Sequence, residues 1–133
     1  MIKWTLIAVG GAAGSVLRYG MQGVVQNAML RLIPATVFPW GTLAVNLLGS
    51  LLIGFLYELS QTLALSPNIR LFIFIGILGG FTTFSSFSQE TFNLLRDTEY
   101  KLAAANMLAS NLLGVALTFA GFFAARWLVA LLR

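Results

Sequence analysis

The side chains able to do chemistry in this chain are hydroxyls, amides and aromatic rings rather than thiols, imidazoles or paired acids. They concentrate in one stretch, GGFTTFSSFSQET, residues 79–91, where Thr82, Thr83, Ser85, Ser86, Ser88 and Thr91 are interleaved with Phe81, Phe84 and Phe87. Asn46, Asn106, Ser110 and Asn111 add amides and a further hydroxyl. Hydroxyl and amide groups donate hydrogen bonds, and an aromatic ring is electropositive at its edge. Such a set offers an anion many modest contacts and no full positive charge, which suits an ion that must be stripped of water and released quickly. Taken alone, a Phe pair reads as ordinary packing.

The missing residue types exclude other chemistries. The chain has no cysteine and no histidine, so disulfides, thiolate nucleophiles, zinc sites of the usual kind and imidazole acid–base catalysis are absent. Its only acids are Glu58, Glu90, Asp97 and Glu99, too few for an active site built on paired carboxylates to be expected. No nucleophile–base pair is visible, and an enzyme is not expected. VGGAAG, residues 9–14, faintly resembles a dinucleotide-binding turn, but that fingerprint needs a preceding strand and a later acid. Close helix packing explains these small residues better.

The elements that must carry the polar stretch are membrane helices. The 133 residues are 59% hydrophobic and 9% charged, whereas a soluble domain is about half apolar and a quarter charged. The mean hydropathy is +0.89. A spanning helix needs about 20 mostly apolar residues, and four segments qualify: roughly Trp4 to Val25, Trp40 to Tyr57, Arg70 to Leu95 and Leu102 to Leu132. Lys3 followed by Trp4 to Leu17 resembles a signal peptide, but no clear cleavage site follows and the segment is read as a retained first helix. Loops are expected at Pro34 to Pro39, at Ser66-Pro67-Asn68 and at Arg96-Asp97-Thr98-Glu99. The expected fold is therefore all-α, a single four-helix transmembrane domain over residues 1–133.

Within this frame Gly79-Gly80 falls near mid-membrane. Glycine costs about 1 kcal/mol in a helix interior, so two glycines followed by Thr-Thr predict a break in the third helix. Unwound backbone at that depth must be buried in protein or line a cavity, and its freed carbonyls suit a small hard cation such as sodium. Asn46 on the second helix reads as helix–helix glue when taken alone. On the fourth helix Asn106, Ser110, Gly114 and Thr118 form a stripe spaced by four, open to reading as packing seam or pore wall. Arg18 lies within the first helix, where it can snorkel and also attract anions to a vestibule. Glu90 follows the break and is expected to pair with a basic residue or to hydrogen-bond within a dimer.

The charges are balanced across the membrane. One side collects Lys3, Arg70, Arg126 and Arg133, the other Arg18, Arg31, Arg96 and Lys101. Orientation normally follows a Lys/Arg excess on one side. Its absence predicts dual topology, with inverted copies pairing as antiparallel homodimers.

GGAAGSVLRY (residues 10–19), GTLAVNLLGS (residues 41–50) and GGFTTFSSFSQET (residues 79–91), in this order and in so short a four-helix chain, resemble the Fluc (CrcB) family of bacterial fluoride channels. The resemblance implies an antiparallel dual-topology homodimer in the bacterial inner membrane, with two fluoride pores and a central structural sodium ion. It implies sodium ligation by the backbone carbonyls of Gly79 and Thr82. It also implies a fluoride path along Asn46, Phe84 and Phe87, with Thr83, Ser85 and Ser86 on a polar track, Arg18 near the vestibule, and Glu90. On the fourth helix Ser110 stands where relatives carry Tyr or His. A small multidrug transporter, also a four-helix dual-topology dimer, would need a membrane-embedded acid in the first helix, where only Arg18 is charged within the span. A non-transporting scaffold would explain the small-residue stripes but not the break with its hydroxyl run.

Overall fold

Apolar runs punctuated by proline and polar turns fold as long helices, here described by a computed structural model over residues 1–132. Helix α1 spans Ile2–Leu32 and α2 spans Trp40–Thr62. Helix α3 covers residues 67–81 and α4 covers Phe84–Arg96, together forming one interrupted element, Pro67–Arg96. Helix α5 runs Tyr100–Leu131. Among the described residues all regular structure is helical, and Arg133, counted above among the balancing charges, lies outside them.

Three of these elements, α2, the α3–α4 pair and α5, are long and apolar enough to cross a membrane. The first helix differs from expectation in composition and length. At 31 residues it extends seven beyond Val25, and Lys3, Arg18, Gln22, Gln26 and Arg31 dilute its apolar character. At 1.5 Å per residue it would measure about 46 Å, longer than a hydrocarbon core of about 30 Å.

The helix ends follow local chemistry. Ser66-Pro67-Asn68, expected as loop, instead opens α3. The Ser66 hydroxyl accepts from the Ile69 N–H at 3.4 Å, and Pro67 occupies the first turn, where its missing N–H costs nothing. The α1–α2 connection is held from α1: Gln26 Oε1 accepts from the Gly41 N–H at 3.1 Å, and its Nε2 donates to the Phe38 carbonyl at 3.2 Å. One amide thereby caps the start of α2 and ties down the loop before it. Between α4 and α5, Arg96 donates to both Asp97 oxygens, at 2.8 and 3.1 Å, and these hydrogen bonds hold the Asp97 carboxyl below the usual carboxylate range. Arg96 is thus a paired charge.

Close helix packing rests on glycine. A side-chain carbon at Gly10 would lie 2.9 Å from the Gly76 Cα and from the Phe72 carbonyl oxygen, so α1 and α3 meet backbone to backbone through the segment that resembled a nucleotide turn. Gly54 and Gly121 do the same for α2 and α5, facing the carbonyls of Thr118 and Leu51. Small residues are the usual means of bringing membrane helices this close.

The interruption of the third element falls within the expected Gly-Gly-Phe-Thr-Thr stretch, on its threonines rather than its glycines. Gly79 keeps helical angles (φ −64°, ψ −35°), with its N–H turned to the carbonyls of Gly76 and Phe74. The chain leaves the helix at Thr82 (φ −88°, ψ 151°) and stays extended at Thr83 (φ −149°, ψ 120°). Threonine is β-branched and tolerates extended backbone well. Gly80 serves packing instead: a Cβ there would lie 2.5 Å from the Gly11 carbonyl oxygen.

Candidate functional site at the helix break

An extended pair of residues between two helices leaves backbone groups without helical partners. Asn46, projecting from the middle of α2, satisfies two of them. Its Oδ1 accepts from the Thr83 N–H at 3.0 Å, and its Nδ2 donates to the Thr83 carbonyl at 3.2 Å. The side-chain amide thus pairs with Thr83 as a neighbouring strand would. Thr83 then caps α4, its hydroxyl accepting from the Ser86 N–H at 3.3 Å and lying 2.9 Å from the Ser85 hydroxyl.

These bonds release two particular carbonyls. In an uninterrupted helix the Thr83 N–H would bond the Gly79 oxygen, and the Ser86 N–H would bond the Thr82 oxygen. Here the first goes to Asn46 and the second to the Thr83 hydroxyl. Gly79 and Thr82, the positions expected to ligate a cation, therefore carry carbonyls without their helical donors. The Thr82 hydroxyl turns back to the Leu78 carbonyl at 3.0 Å, so its backbone oxygen is the group left for a ligand.

Beside the break lies an open groove of about 340 Å³. It gathers Asn46, Gly79, Thr82, Thr83, Phe84, Phe87 and Ser110 into one lining. The two rings sit 5.4 Å apart between centroids at 46°, with Phe87 9% exposed and Phe84 76% exposed. Ser110 Oγ is buried with no protein partner among the described residues. It belongs to a π-helical turn, Ala109–Leu113, a local widening often found at functional sites.

Four expected positions lie apart from this groove. Ser85 and Ser86 begin α4 on other faces, and Ser85 is joined to the lining only through Thr83. Arg18 is half-buried on α1, one turn past Gly14, which rests against Ile77 and Phe81. Glu90 meets no basic residue among the described residues and is held instead by α2. The buried Thr42 hydroxyl donates to its Oε1 at 2.5 Å, and Gln22 Nε2 donates to that same Thr42 oxygen at 2.9 Å. Gln22 and Thr42 escaped the sequence reading, although Gln22 is a polar residue four positions from Gln26 on one face of α1, a signal that was available.

The polar stripe on α5 resolves into mixed roles. Asn106, 1% exposed, donates to Thr91 Oγ1 at 2.9 Å, and Thr91 donates to the Phe87 carbonyl at 2.8 Å. This chain pins α4 one turn beyond its phenylalanines. Gly114 faces the Ser50 hydroxyl and Thr118 faces Gly54. The stripe is a packing seam at three positions and opens on the groove at Ser110.

Residues 5–122 match the family described as CrcB-like protein, Camphor Resistance (CrcB). A protein of Parabacteroides distasonis named fluoride-specific ion channel FluC is 44% identical over 133 residues, all of both chains. Proteins of the same name from Thermus thermophilus and Geobacter sulfurreducens are 48% and 50% identical, over 92% of this chain and 94% and 95% of theirs.

Proposed function

The chain belongs to the CrcB-like family, and from that premise we propose that it is a fluoride channel, a multi-pass protein of the bacterial inner membrane that lets fluoride leave down its gradient. The observation that carries this reading is the groove at the helix break, where Asn46, Thr83, Ser110 and two phenylalanines converge on one space. Fluoride is small and strongly hydrated. A dry path for it requires donors and ring edges in close succession, without a full charge that would hold it. It is a passive conductor and not an enzyme. Helix α1 carries no acid, which disfavours the drug-exporter alternative.

The finer organisation follows from what one copy leaves incomplete. Phe84 projects from the single chain and Gly79 is exposed beside it. The groove is open along its length, and the basic residues are shared between the two ends. An inverted second copy would cover these surfaces, giving an antiparallel dual-topology homodimer with two paths. Ser85, Ser86 and Arg18 would line the approaches, with Glu90 placed against the path by α4. The freed carbonyls of Gly79 and Thr82 fit a structural sodium ion, a hard cation that prefers oxygen ligands. Bound there, it would neutralise exposed carbonyl dipoles at the centre of the pair.

The test is purified protein in liposomes loaded with potassium fluoride, with valinomycin to carry the compensating potassium. Rapid fluoride release at a fluoride electrode is expected. Release no faster than from empty liposomes would overturn the assignment.

A further inference from the structure

We propose that Gln22 is a positioning residue for the fluoride path, acting through Thr42 on Glu90. This inference rests on the proposed function and extends it to a residue on the first helix. The observations begin with the backbone. A Cβ at Gly41 would lie 2.5 Å from the Gln22 carbonyl oxygen and 3.0 Å from its Cα, so α2 starts directly against α1 at this residue. Gln26, one turn on, clamps the same junction through Gly41 and Phe38. The Gln22 side chain is thereby held at fixed distance from Thr42.

The hydroxyl of Thr42 has one proton. With Gln22 Nε2 donating to its oxygen at 2.9 Å, that proton is directed to Glu90 Oε1 at 2.5 Å. The relay runs one way, from amide to hydroxyl to carboxyl. It holds one oxygen of Glu90 on Thr42 and leaves Oε2 buried without a protein partner. Glu90 lies three residues beyond Phe87, on the helix that carries both groove rings. Gln22 therefore governs where this carboxyl group sits relative to the rings, although it touches neither the ion nor the groove.

The test exploits the direction of the relay. Gln22→Glu preserves shape but replaces a donor by an acceptor, so two carboxyl groups compete for the single Thr42 proton and Glu90 no longer holds it alone. Gln22→Met removes the donor and keeps the volume. Fluoride efflux per dimer should fall roughly threefold to tenfold in Gln22→Met, the kinetic equivalent of about one hydrogen bond, and further in Gln22→Glu. The swapped variant Gln22→Glu/Glu90→Gln rebuilds the trio with its direction reversed. It should recover wild-type thermal stability in detergent without recovering flux. Flux within twofold of wild type in both single variants, or flux restored by the swap, would overturn the inference and make the trio a mere brace. Should either glutamate variant fail to fold, the Gln22→Met rate decides alone. A wild-type chain without fluoride flux would remove the proposed function and this inference together, whereas a conducting wild type isolates the inference.

Discussion

Asn46 shows how a single side chain decides whether a break in a membrane helix is tolerable. Its amide gives Thr83 both an acceptor and a donor, on two separate atoms that can face the N–H and the carbonyl of one residue together. Asn46→Asp keeps the acceptor and forfeits the donor, and Asn46→Leu forfeits both. A buried polar group left unsatisfied costs about 1–3 kcal/mol. Asn46→Leu is expected to lower the thermal unfolding temperature in detergent more than Asn46→Asp, and both should reduce fluoride efflux. An unchanged unfolding temperature in Asn46→Leu would mean that Thr83 finds other partners. The sequence marked Asn46 as important by its polarity at mid-helix, but its partner lies 37 positions away on another element. Glue and ion ligand were therefore indistinguishable before the fold was known. Gln22 was half legible: its spacing from Gln26 marks a polar face of α1, but a glutamine on a mixed helix carries no sign of the hydroxyl it meets.

At the scale of elements, the third span was legible as interrupted within residues 79–83, though not which of those residues leave the helix. Glycine is a poor helix former in water, and on that ground Gly79-Gly80 marked the break. In hydrocarbon, unbonded backbone costs far more than glycine's entropy, so the helix continues until Asn46 can receive the freed groups at Thr83. The glycine pair then divides by function. A Cβ at Gly79 would meet only the Phe74 carbonyl oxygen at 3.6 Å, an ordinary contact, whereas one at Gly80 would lie 2.5 Å from the Gly11 oxygen. Gly79→Ala should fold, remain stable and keep its backbone carbonyl for a cation. Gly80→Ala must push α3 from α1, at a cost of about 1–3 kcal/mol for overpacking. Thermal unfolding of the two variants side by side checks this, and equal behaviour would contradict it. The same backbone contacts explain why VGGAAG, suggestive of a nucleotide turn in a soluble protein, belongs here to a helix seam.

For the whole molecule, the count of helices and their order were readable from hydropathy and turn residues, since loops must lie outside the apolar layer. The length of α1 was not, because its later turns carry Gln22 and Gln26, which bond to Thr42 and to the backbone at the start of α2 rather than to water. Assembly is a matter of the surfaces a single chain leaves open. With no native cysteine, Val37→Cys and Leu63→Cys report on opposite ends, in exposed loop positions. In cells, each is expected to react with an impermeant maleimide from both sides of the membrane, about half of the molecules from each. Labelling from one side only would fix a single orientation and remove the inverted pair. The proposed channel passes fluoride through the groove at the break and refuses larger halides. Its most direct test is the ratio of fluoride to chloride release from liposomes holding both salts, read with two ion-selective electrodes in one cuvette. Fluoride should empty from the protein-containing vesicles while chloride is retained as in protein-free controls; release of both ions at comparable rates would rule out a fluoride-selective path.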